Sequence, residues 1–275
     1  MASLVLLRHG ESQAIVEGRF QGRLETPLSP LGLRQAAAAG RRLADPTAPP
    51  RIPVPAGPPV EIVHSPLGRT RQTAAAVATA FAERPGADRS PAPLLRAEPG
   101  LLELAQGEWE GLPMTEVVGR YAAALEAWRT RPHEAQAPGG EPVVEAAARA
   151  RAALETALAR LAAAGDGSTT RRLQTGGYPA AHGPEAPWTL LVGHDGIFKT
   201  ALLALFGLPL ERFWMFPWSL TGITVVELVD GRAVLRAHNL TDHLEPLQAA
   251  AGGSTTGAEA ASEDEATTRE RTGSL

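Results

Sequence analysis

Cysteine is absent from this 275-residue sequence. Its absence excludes disulfides, thiolate-bound zinc and a cysteine nucleophile, and it fits a reducing compartment. No apolar run approaches the ~20 residues of a membrane span, and the N-terminus has no basic segment followed by a long apolar stretch. The sequence therefore predicts a cytoplasmic protein that has no membrane partner.

Lysine is almost absent as well, because Lys199 is the only one and arginine supplies nearly all the positive charge. The formal net charge is -4 and no basic stripe stands out, which argues against a nucleic-acid partner. With 44% hydrophobic residues, the chain can bury a core without disulfides. Since arginine is so common here, only the positions of the arginines are informative.

Short apolar segments alternate with helical ones along the chain. The pattern predicts strands at 4–7, 60–65 and 188–193, and helices at 28–43, 67–83, 114–129, 143–163 and 196–207. Ser29 is the expected cap of the first of these helices, with Pro30 at its first position. Asp230-Gly231 lies between two β-rich runs and predicts a hairpin.

These elements predict an α/β fold, a three-layer sandwich with helices on both faces of the sheet. The sheet is expected to be mostly parallel with an antiparallel edge hairpin, and the helices at 114–129 and 143–163 are expected to form a helical insertion over the active site. Residues 1–248 are assigned to one catalytic domain and 249–275 to a disordered tail. The proline-rich segment 45–59 is expected at the surface, and 166–187 as a flexible loop or a lid.

Three predicted strands end in polar residues of a matching kind. Arg8 and His9 follow the first, "HSPLGRTRQT" with Arg69 follows the second, and His194 in "VGHDG" follows the third. The carboxyl ends of parallel strands are where ligands bind in such sheets. Because arginine matches phosphate oxygens two at a time, the pattern predicts a site for a phosphoryl group.

Transfer of a phosphoryl group from an ester requires a nucleophile, a proton donor for the departing alcohol and neutralisation of charge. A neutral imidazole is a competent nucleophile near pH 7. The segment "LLELAQGEWEGL" offers Glu103, Glu108 and Glu110 as proton donors, and spacing alone does not choose among the three.

Five motifs then occur in a characteristic order: "LLRHGES", "GRFQGRLETPLSPLGLRQA", "HSPLGRTRQTA", "LLELAQGEWEGL" and "VGHDG". In this order they resemble the histidine phosphatase superfamily, also called phosphoglycerate mutase-like, over roughly residues 4–245. The segments 45–59 and 166–187 are insertions relative to that pattern.

The resemblance implies a role for each matching residue. His9 would be the nucleophile that becomes phosphohistidine, Arg8 and Arg69 would hold the phosphate, and His194 would donate a hydrogen bond to it. Glu103 matches the proton donor of the family, which would protonate the leaving oxygen and then activate water. The substrate-binding candidates are Arg8, Gln21, Arg69, His194 and Asp195. The resemblance implies no metal and no cofactor.

One departure from the family pattern concerns Ala14 and Ile15. The family usually has an asparagine at the place of Ile15 and often an aromatic residue at the place of Ala14. The phosphoglycerate mutase branch has Trp-Asn there, so this chain resembles the phosphatase branches instead.

The predicted function is hydrolysis of a small soluble phosphate monoester, a phosphorylated metabolite, through a phosphohistidine. The first alternative is a 2,3-bisphosphoglycerate-dependent phosphoglycerate mutase, and the second is a non-catalytic phosphate-binding regulatory module. The aromatic segment 213–220 is expected in the core, with a contact between subunits of a homo-oligomer as the alternative. The other histidines and Arg71 are predicted to be structural or solvated.

Overall fold

The computed structural model describes residues 2–84, 86, 93–164, 186–229 and 231–252. Six strands lie within these ranges: β1 (Ala2–Arg8), β2 (Glu61–His64), β3 (Leu94–Ala97), β4 (Trp188–Gly193), β5 (Ile223–Val229) and β6 (Arg232–Leu240). They form one sheet in the order β3-β2-β4-β1-β5-β6. The first four strands of this order pair in parallel, and β5 pairs antiparallel with β1 and with β6. The predicted antiparallel edge is confirmed, although Asp230 of its turn lies outside the described residues.

The described helices lie on both faces of this sheet. They are α1 (Gln13–Val16), α2 (Pro30–Ala44), α3 (Gly68–Glu83), α4 (Met114–Thr130), α5 (Val143–Ala164), α6 (Asp195–Phe206) and α7 (Glu245–Gly252). The alternation of side chains along β1 shows the two layers. Leu4 and Leu6 pack in one apolar cluster with α4, α5 and α6, whereas Val5 and Leu7 pack in another with α2 and α3. The three-layer α/β sandwich is therefore confirmed.

Helix α2 begins where the sequence predicts. The Ser29 side chain accepts a hydrogen bond from the Gly32 N–H at 3.0 Å, and Pro30 occupies the first turn. The first N–H groups of a helix have no partner inside the helix. Ser29 accepts a hydrogen bond from one of them, and Pro30 has no N–H that would need a partner. Helix α6 ends at Gly207, whose φ of 63° is a left-handed conformation that glycine adopts without steric cost.

Three sequence predictions need correction. The segment 45–59 does not lie wholly at the surface, because Ile52 and Val54 are buried beside α2 and α3. Strand β3 and helix α1 were not predicted, since each has only four residues. Helix α7 includes residues 249–252, which were assigned to the tail; the alanine run there has high helix propensity and continues the helix from Glu245. The predicted loop or lid at 166–187 and the rest of the tail fall almost entirely outside the described residues.

The aromatic segment 213–220 packs largely in the core, as predicted. Phe213, Phe216 and Trp218 are buried, while Met215 is 57% exposed. None of the helices within the described ranges is long and apolar enough to cross a membrane.

The turn after β1 touches the start of α2 backbone to backbone. A Cβ on Gly32 would lie 1.9 Å from the Glu11 carbonyl oxygen, and a Cβ on Gly10 would lie 2.5 Å from the Gly32 oxygen. Only glycine permits this contact, because no flexible side chain can move aside. The contact fixes the position of the residues that directly follow β1.

Gly32→Ala is therefore expected to lower the free energy of unfolding by more than about 2 kcal/mol, since the added methyl group forces two backbone segments apart. Gly119→Ala in α4 is the matched control. No atom lies within 4 Å of its added Cβ, so the same substitution is expected to stabilise by about 0.5–1 kcal/mol. Denaturant unfolding measures both, and wild-type stability in Gly32→Ala would contradict the backbone contact.

Candidate active site

The site lies at the carboxyl ends of three neighbouring parallel strands. β1 ends at Arg8 and is followed by His9, β4 ends at Gly193 and is followed by His194, and β2 leads into α3, which carries Arg69. Because β1, β4 and β2 are adjacent in the sheet, their ends meet at one edge. All four of these polar side chains are nearly fully buried there.

His9 presents one ring nitrogen to the centre of the site. Its Nδ1 lies 2.7 Å from the Gly10 carbonyl oxygen, which can only accept, so Nδ1 carries the proton and Nε2 has the free lone pair. The backbone N–H of His9 donates to the Gly193 oxygen at 3.0 Å. Burial, together with the charges of Arg69 and Arg8, holds the pKa of His9 well below its ordinary value of 6.5. His9 is therefore neutral at pH 7.

Arg69 connects the two histidines. Its Nε lies 3.3 Å from His9 Nε2 and 3.3 Å from His194 Nδ1. Its two terminal nitrogens donate to the carbonyl oxygens of Leu24 and Gly22, at 2.9 and 2.7 Å. Burial lowers the pKa of Arg69 to about 10, and the nearby charge of Glu103 acts in the opposite direction. The guanidinium stays charged at neutral pH and is fixed on both sides.

His194 precedes α6 and faces His9, with ring centroids 5.1 Å apart. Its Nδ1 accepts from Arg69, and its Nε2 lies 2.9 Å from Ser65 Oγ. Burial and the charge of Arg69 hold its pKa well below the ordinary value. Since the Ser65 hydroxyl can donate or accept, it can support either tautomer of this ring. Because Nδ1 accepts from Arg69 here, the proton of the neutral ring lies on Nε2, which donates to Ser65 Oγ.

Arg8 is held by the segment that follows α6. Its Nη1 donates to the Trp218 carbonyl oxygen, and the indole Nε1 of Trp218 donates to the Gly222 oxygen at 2.9 Å. The His9 carbonyl oxygen accepts from the N–H of Thr221 at 3.3 Å. The aromatic segment therefore fixes the end of β1 in addition to filling the core.

Glu103 lies against the first turn of α6. Its Oε1 accepts from the N–H groups of Leu104 and Ile197, at 2.9 and 3.0 Å, and its Oε2 accepts from Gly196 at 3.1 Å. These bonds and the helix terminus favour a negative charge. Burial and the negative charge of Asp195 outweigh them and raise the pKa of Glu103 above its ordinary value of 4.5. Oε2 accepts one bond fewer than Oε1 and so keeps room for a proton.

Asp195 pairs within its own helix. Its Oδ2 accepts from Lys199 Nζ one turn along α6, and both side chains are buried. The Lys199 ammonium lies 4.6 Å from the centre of the Trp214 ring, a cation–π arrangement. The carboxylate of Asp195 thus has a cation of its own, and its assignment as a substrate-binding residue stays a prediction.

Gln21 is buried beside the "RHGES" segment. Its Oε1 accepts from Ser12 Oγ at 2.7 Å and from Thr26 Oγ1 at 3.2 Å. These bonds fix the orientation of the amide, leaving its nitrogen as a donor. Ile15 occupies the place of the usual asparagine and is buried in α1, so it supplies no polar group to the site.

The other two acidic candidates do not join these residues. Glu108 is exposed and accepts from the Tyr121 hydroxyl at 2.8 Å, as expected for a solvated carboxylate. Glu110 Oε1 accepts from the backbone N–H groups of Arg23 and Gln106, both at 2.9 Å. Glu110 therefore connects two loops, a structural role that the sequence did not specify.

The remaining histidines are structural where described. His238 and His243 contact Thr224 and Thr221 respectively, as predicted for hydrogen-bonded residues near the end of the chain. Arg71 is exposed, as predicted, and His182 lies outside the described residues. In the part of the chain that the structure describes, no three histidine or carboxylate side chains are grouped as metal ligands.

Ser65, Trp218, Arg23 and Arg149 are the residues near the site that sequence reasoning missed. Ser65 stands at the end of β2 inside a quoted motif, and that position was its only signal. Trp218 contributes through its carbonyl oxygen, which any residue has, so no sequence signal could have identified it.

The free energy of unfolding is expected to fall as the pH is lowered from about 6.5 to 5. The pKa values of His9 and His194 are lowered in the folded chain, so the unfolded chain takes up more protons as the pH falls through 6.5 and acid favours unfolding. The raised pKa of Glu103 acts in the opposite direction, but it is one group against four histidines with a lowered pKa, since His238 and His243 are shifted in the same direction. Guanidinium unfolding at several pH values measures the slope. His194→Gln should reduce it by up to about 1.4 kcal/mol per pH unit, and an unchanged slope would contradict the buried neutral ring.

Comparison with known proteins agrees with this geometry. The family model of the histidine phosphatase superfamily (branch 1) matches residues 4–166 and 175–241. The chain is 27% identical to phosphoserine phosphatase 1 of Hydrogenobacter thermophilus over 245 residues, covering 89% of this chain and 95% of that protein. It is 33% identical to glucosyl-3-phosphoglycerate phosphatase of Mycobacterium tuberculosis over 214 residues, covering 76% and 78%.

A solved structure of a mycobacterial glucosyl-3-phosphoglycerate phosphatase in complex with VO3 is also similar. It has a TM-score of 0.64 and 28% sequence identity, covering 86% of this chain and 98% of that one. The extent of the family match and the identity to these relatives confirm the resemblance that the five motifs indicated. The chain belongs to the histidine phosphatase superfamily.

Proposed function

We propose that this chain hydrolyses a small soluble phosphate monoester through a phosphohistidine at His9. The observation that carries the proposal is the convergence of Arg69 Nε on His9 Nε2 and His194 Nδ1, each at 3.3 Å. This buried cation lies between two neutral imidazoles, and no carboxylate in the described residues is within hydrogen-bonding distance of it. A phosphate dianion supplies the missing negative charge.

In the first step, the Nε2 lone pair of His9 attacks phosphorus while the bond to the ester oxygen breaks. The proton stays on Nδ1 throughout, donated in a hydrogen bond to the Gly10 carbonyl oxygen, which keeps the ring in the correct tautomer. Arg8, Arg69 and His194 would neutralise charge on the three equatorial oxygens, which is where it accumulates in the transition state. The amide nitrogen of Gln21 would supply a further donor, replacing part of what the asparagine at the position of Ile15 gives in the family.

Glu103 would give the proton from Oε2 to the departing alkoxide, so that a neutral alcohol leaves. In the second step, Glu103 takes a proton from water as the water oxygen attacks phosphorus and the P–N bond breaks. His9 recovers its lone pair, inorganic phosphate leaves, and Glu103 is protonated again. A carboxyl group with a raised pKa suits both roles. These steps use groups of the chain alone.

The names of the relatives suggest where to look for the substrate. Phosphoserine and glucosyl-3-phosphoglycerate share a three-carbon acid that carries phosphate on its terminal carbon. In both, the leaving group is a primary alkoxide, which departs poorly without a proton. We therefore place phosphorylated three-carbon acids first among the substrate candidates. The mutase and the non-catalytic module remain alternatives that experiment can distinguish.

The test is a screen for phosphate release over a panel of phosphorylated metabolites, combined with acid-quench labelling. Wild-type chain is expected to release phosphate without 2,3-bisphosphoglycerate and to carry an acid-labile phosphoryl group. His9→Ala should lose the label and all measurable turnover. Dependence on 2,3-bisphosphoglycerate would favour the mutase, and the absence of any label on wild type would favour the binding module.

A second prediction concerns the pH dependence of kcat/KM. His9 must be neutral to attack phosphorus, and because its pKa is lowered, activity should persist well below pH 6.5. Glu103 must be protonated to donate to the leaving group, so activity should fall as the pH rises through the raised pKa of Glu103. Glu103→Gln is expected to reduce kcat/KM by about 10²–10⁴-fold. It should also abolish the decrease of kcat/KM at high pH that arises from deprotonation of Glu103. A basic limb unchanged in Glu103→Gln would assign the proton transfer to another group.

The cytoplasmic location and the oligomeric state stay predictions. Fractionation and light scattering of the full chain measure them directly.

A further inference from the structure

A cluster of three charged residues lies outside the phosphate site and contacts the segment that carries Glu103. The charged cluster consists of Arg23, Glu141 and Arg149. Glu141 accepts from Arg149 at 2.7–2.8 Å and pairs with Arg23 Nη2 at 2.9 Å. The Glu141 side chain is 9% exposed. No motif that predicted the function indicated that these three side chains pair with one another.

Arg149 lies on α5 and binds the backbone of the Glu103 segment at three successive points. Its Nη1 donates to the carbonyl oxygens of Gly100 and Leu102, at 3.0 and 2.6 Å. Its Nη2 donates to the carbonyl oxygen of Glu103 at 3.1 Å. One planar guanidinium thus fixes three peptide groups in a rigid geometry, which a flexible ammonium would hold less firmly.

Arg23 binds the same carbonyl oxygen. Its Nε donates to the Glu103 oxygen at 3.1 Å. In the chain it stands between Gly22 and Leu24, the two residues whose carbonyl oxygens hold Arg69. The segment 22–24 therefore contacts both the cation proposed to bind phosphate and the backbone of Glu103, whose carboxyl is proposed to protonate the leaving group.

The charge of Glu141 makes this arrangement stable. Two guanidinium groups converge on one carbonyl, and a carboxylate between them offsets their mutual repulsion. Burial acts to raise the pKa of Glu141, but the hydrogen bonds from Arg149 and the charges of Arg149 and Arg23 outweigh it, so the pKa lies below its ordinary value. Glu141 is ionised at neutral pH.

We propose that Arg149, with Arg23 and Glu141, is a positioning residue for proton transfer by Glu103 to the leaving group. The inference rests on the proposed function. The Glu103 carboxylate is fixed at one end by two N–H groups of α6 and by the N–H of Leu104, and its backbone is fixed by the charged cluster at the other. Without the cluster, the segment 100–103 loses its hydrogen bonds to Arg149 of α5, and the carboxyl no longer stays within reach of the departing oxygen.

Proton donation matters most when the leaving group is a poor one. An alkoxide needs the proton, whereas p-nitrophenolate is stable without it. Removal of a positioning residue should therefore reduce hydrolysis of alkyl monoesters selectively. A merely structural role would reduce both activities by the same factor. The correct measure is kcat/KM for the alkyl monoester divided by kcat/KM for p-nitrophenyl phosphate. Each kcat/KM reports the steps up to departure of the leaving group and excludes hydrolysis of the phosphoenzyme.

The experiment compares p-nitrophenyl phosphate with the best alkyl monoester from the metabolite screen. Arg149→Met is expected to lower kcat/KM for the alkyl monoester by about 10- to 100-fold and for p-nitrophenyl phosphate by less than about threefold. Arg149→Lys should recover part of the loss. Arg151→Met, an exposed position on the same helix, is the matched control and should change neither value.

Glu141→Gln provides a second variant in case Arg149→Met does not fold, which a melting curve reveals. Glu141→Gln keeps the side-chain volume and removes the charge. It should lower the ratio of kcat/KM for the alkyl monoester to kcat/KM for p-nitrophenyl phosphate, but by a smaller factor than Arg149→Met. Equal losses on both substrates in the folded variants would overturn the inference and leave the proposed function intact. A wild-type chain that releases phosphate from neither substrate would overturn both.

Discussion

One guanidinium group organises the site. Arg69 shares its Nε between two imidazoles from different strand ends, and its other nitrogens bind carbonyl oxygens of a fourth segment. Because it is buried, its charge acts through a medium of low dielectric constant and lowers the proton affinity of both rings. Burial of the two rings and the charge of Arg69 together keep the histidines neutral, and the same cation favours binding of an anion between them.

The sequence predicts the parallel part of this architecture because burial there is unambiguous. β1 and β4 are apolar on both faces, as central strands in a three-layer fold must be, and each ends abruptly in polar residues. The start of α2 follows from Ser29 and Pro30 for reasons that are entirely local. Arg8, His9, Arg69 and His194 meet because parallel neighbouring strands end at one edge.

The remainder depends on contacts that leave no local signature. β3 has four exposed residues, and only pairing with β2 makes it a strand. Ile52 and Val54 are buried in a proline-rich segment because α2 and α3 leave space beside it, which composition does not show. The charged cluster escaped prediction because its members are 8 to 126 residues apart in the chain and bind carbonyl oxygens, which every residue carries. Arginine is also so common in this sequence that its presence at one position does not indicate a function.

The buried pair of Asp195 and Lys199 has a consequence for chemical handling of the protein. Lys199 is the sole lysine of the chain, its side chain is 3% exposed, and it is held by a carboxylate and an indole ring. Amine-directed reagents such as succinimidyl esters should therefore leave Lys199 unreacted in the folded chain. Coupling to a surface through primary amines would then leave α6 and the phosphate site beside it unmodified.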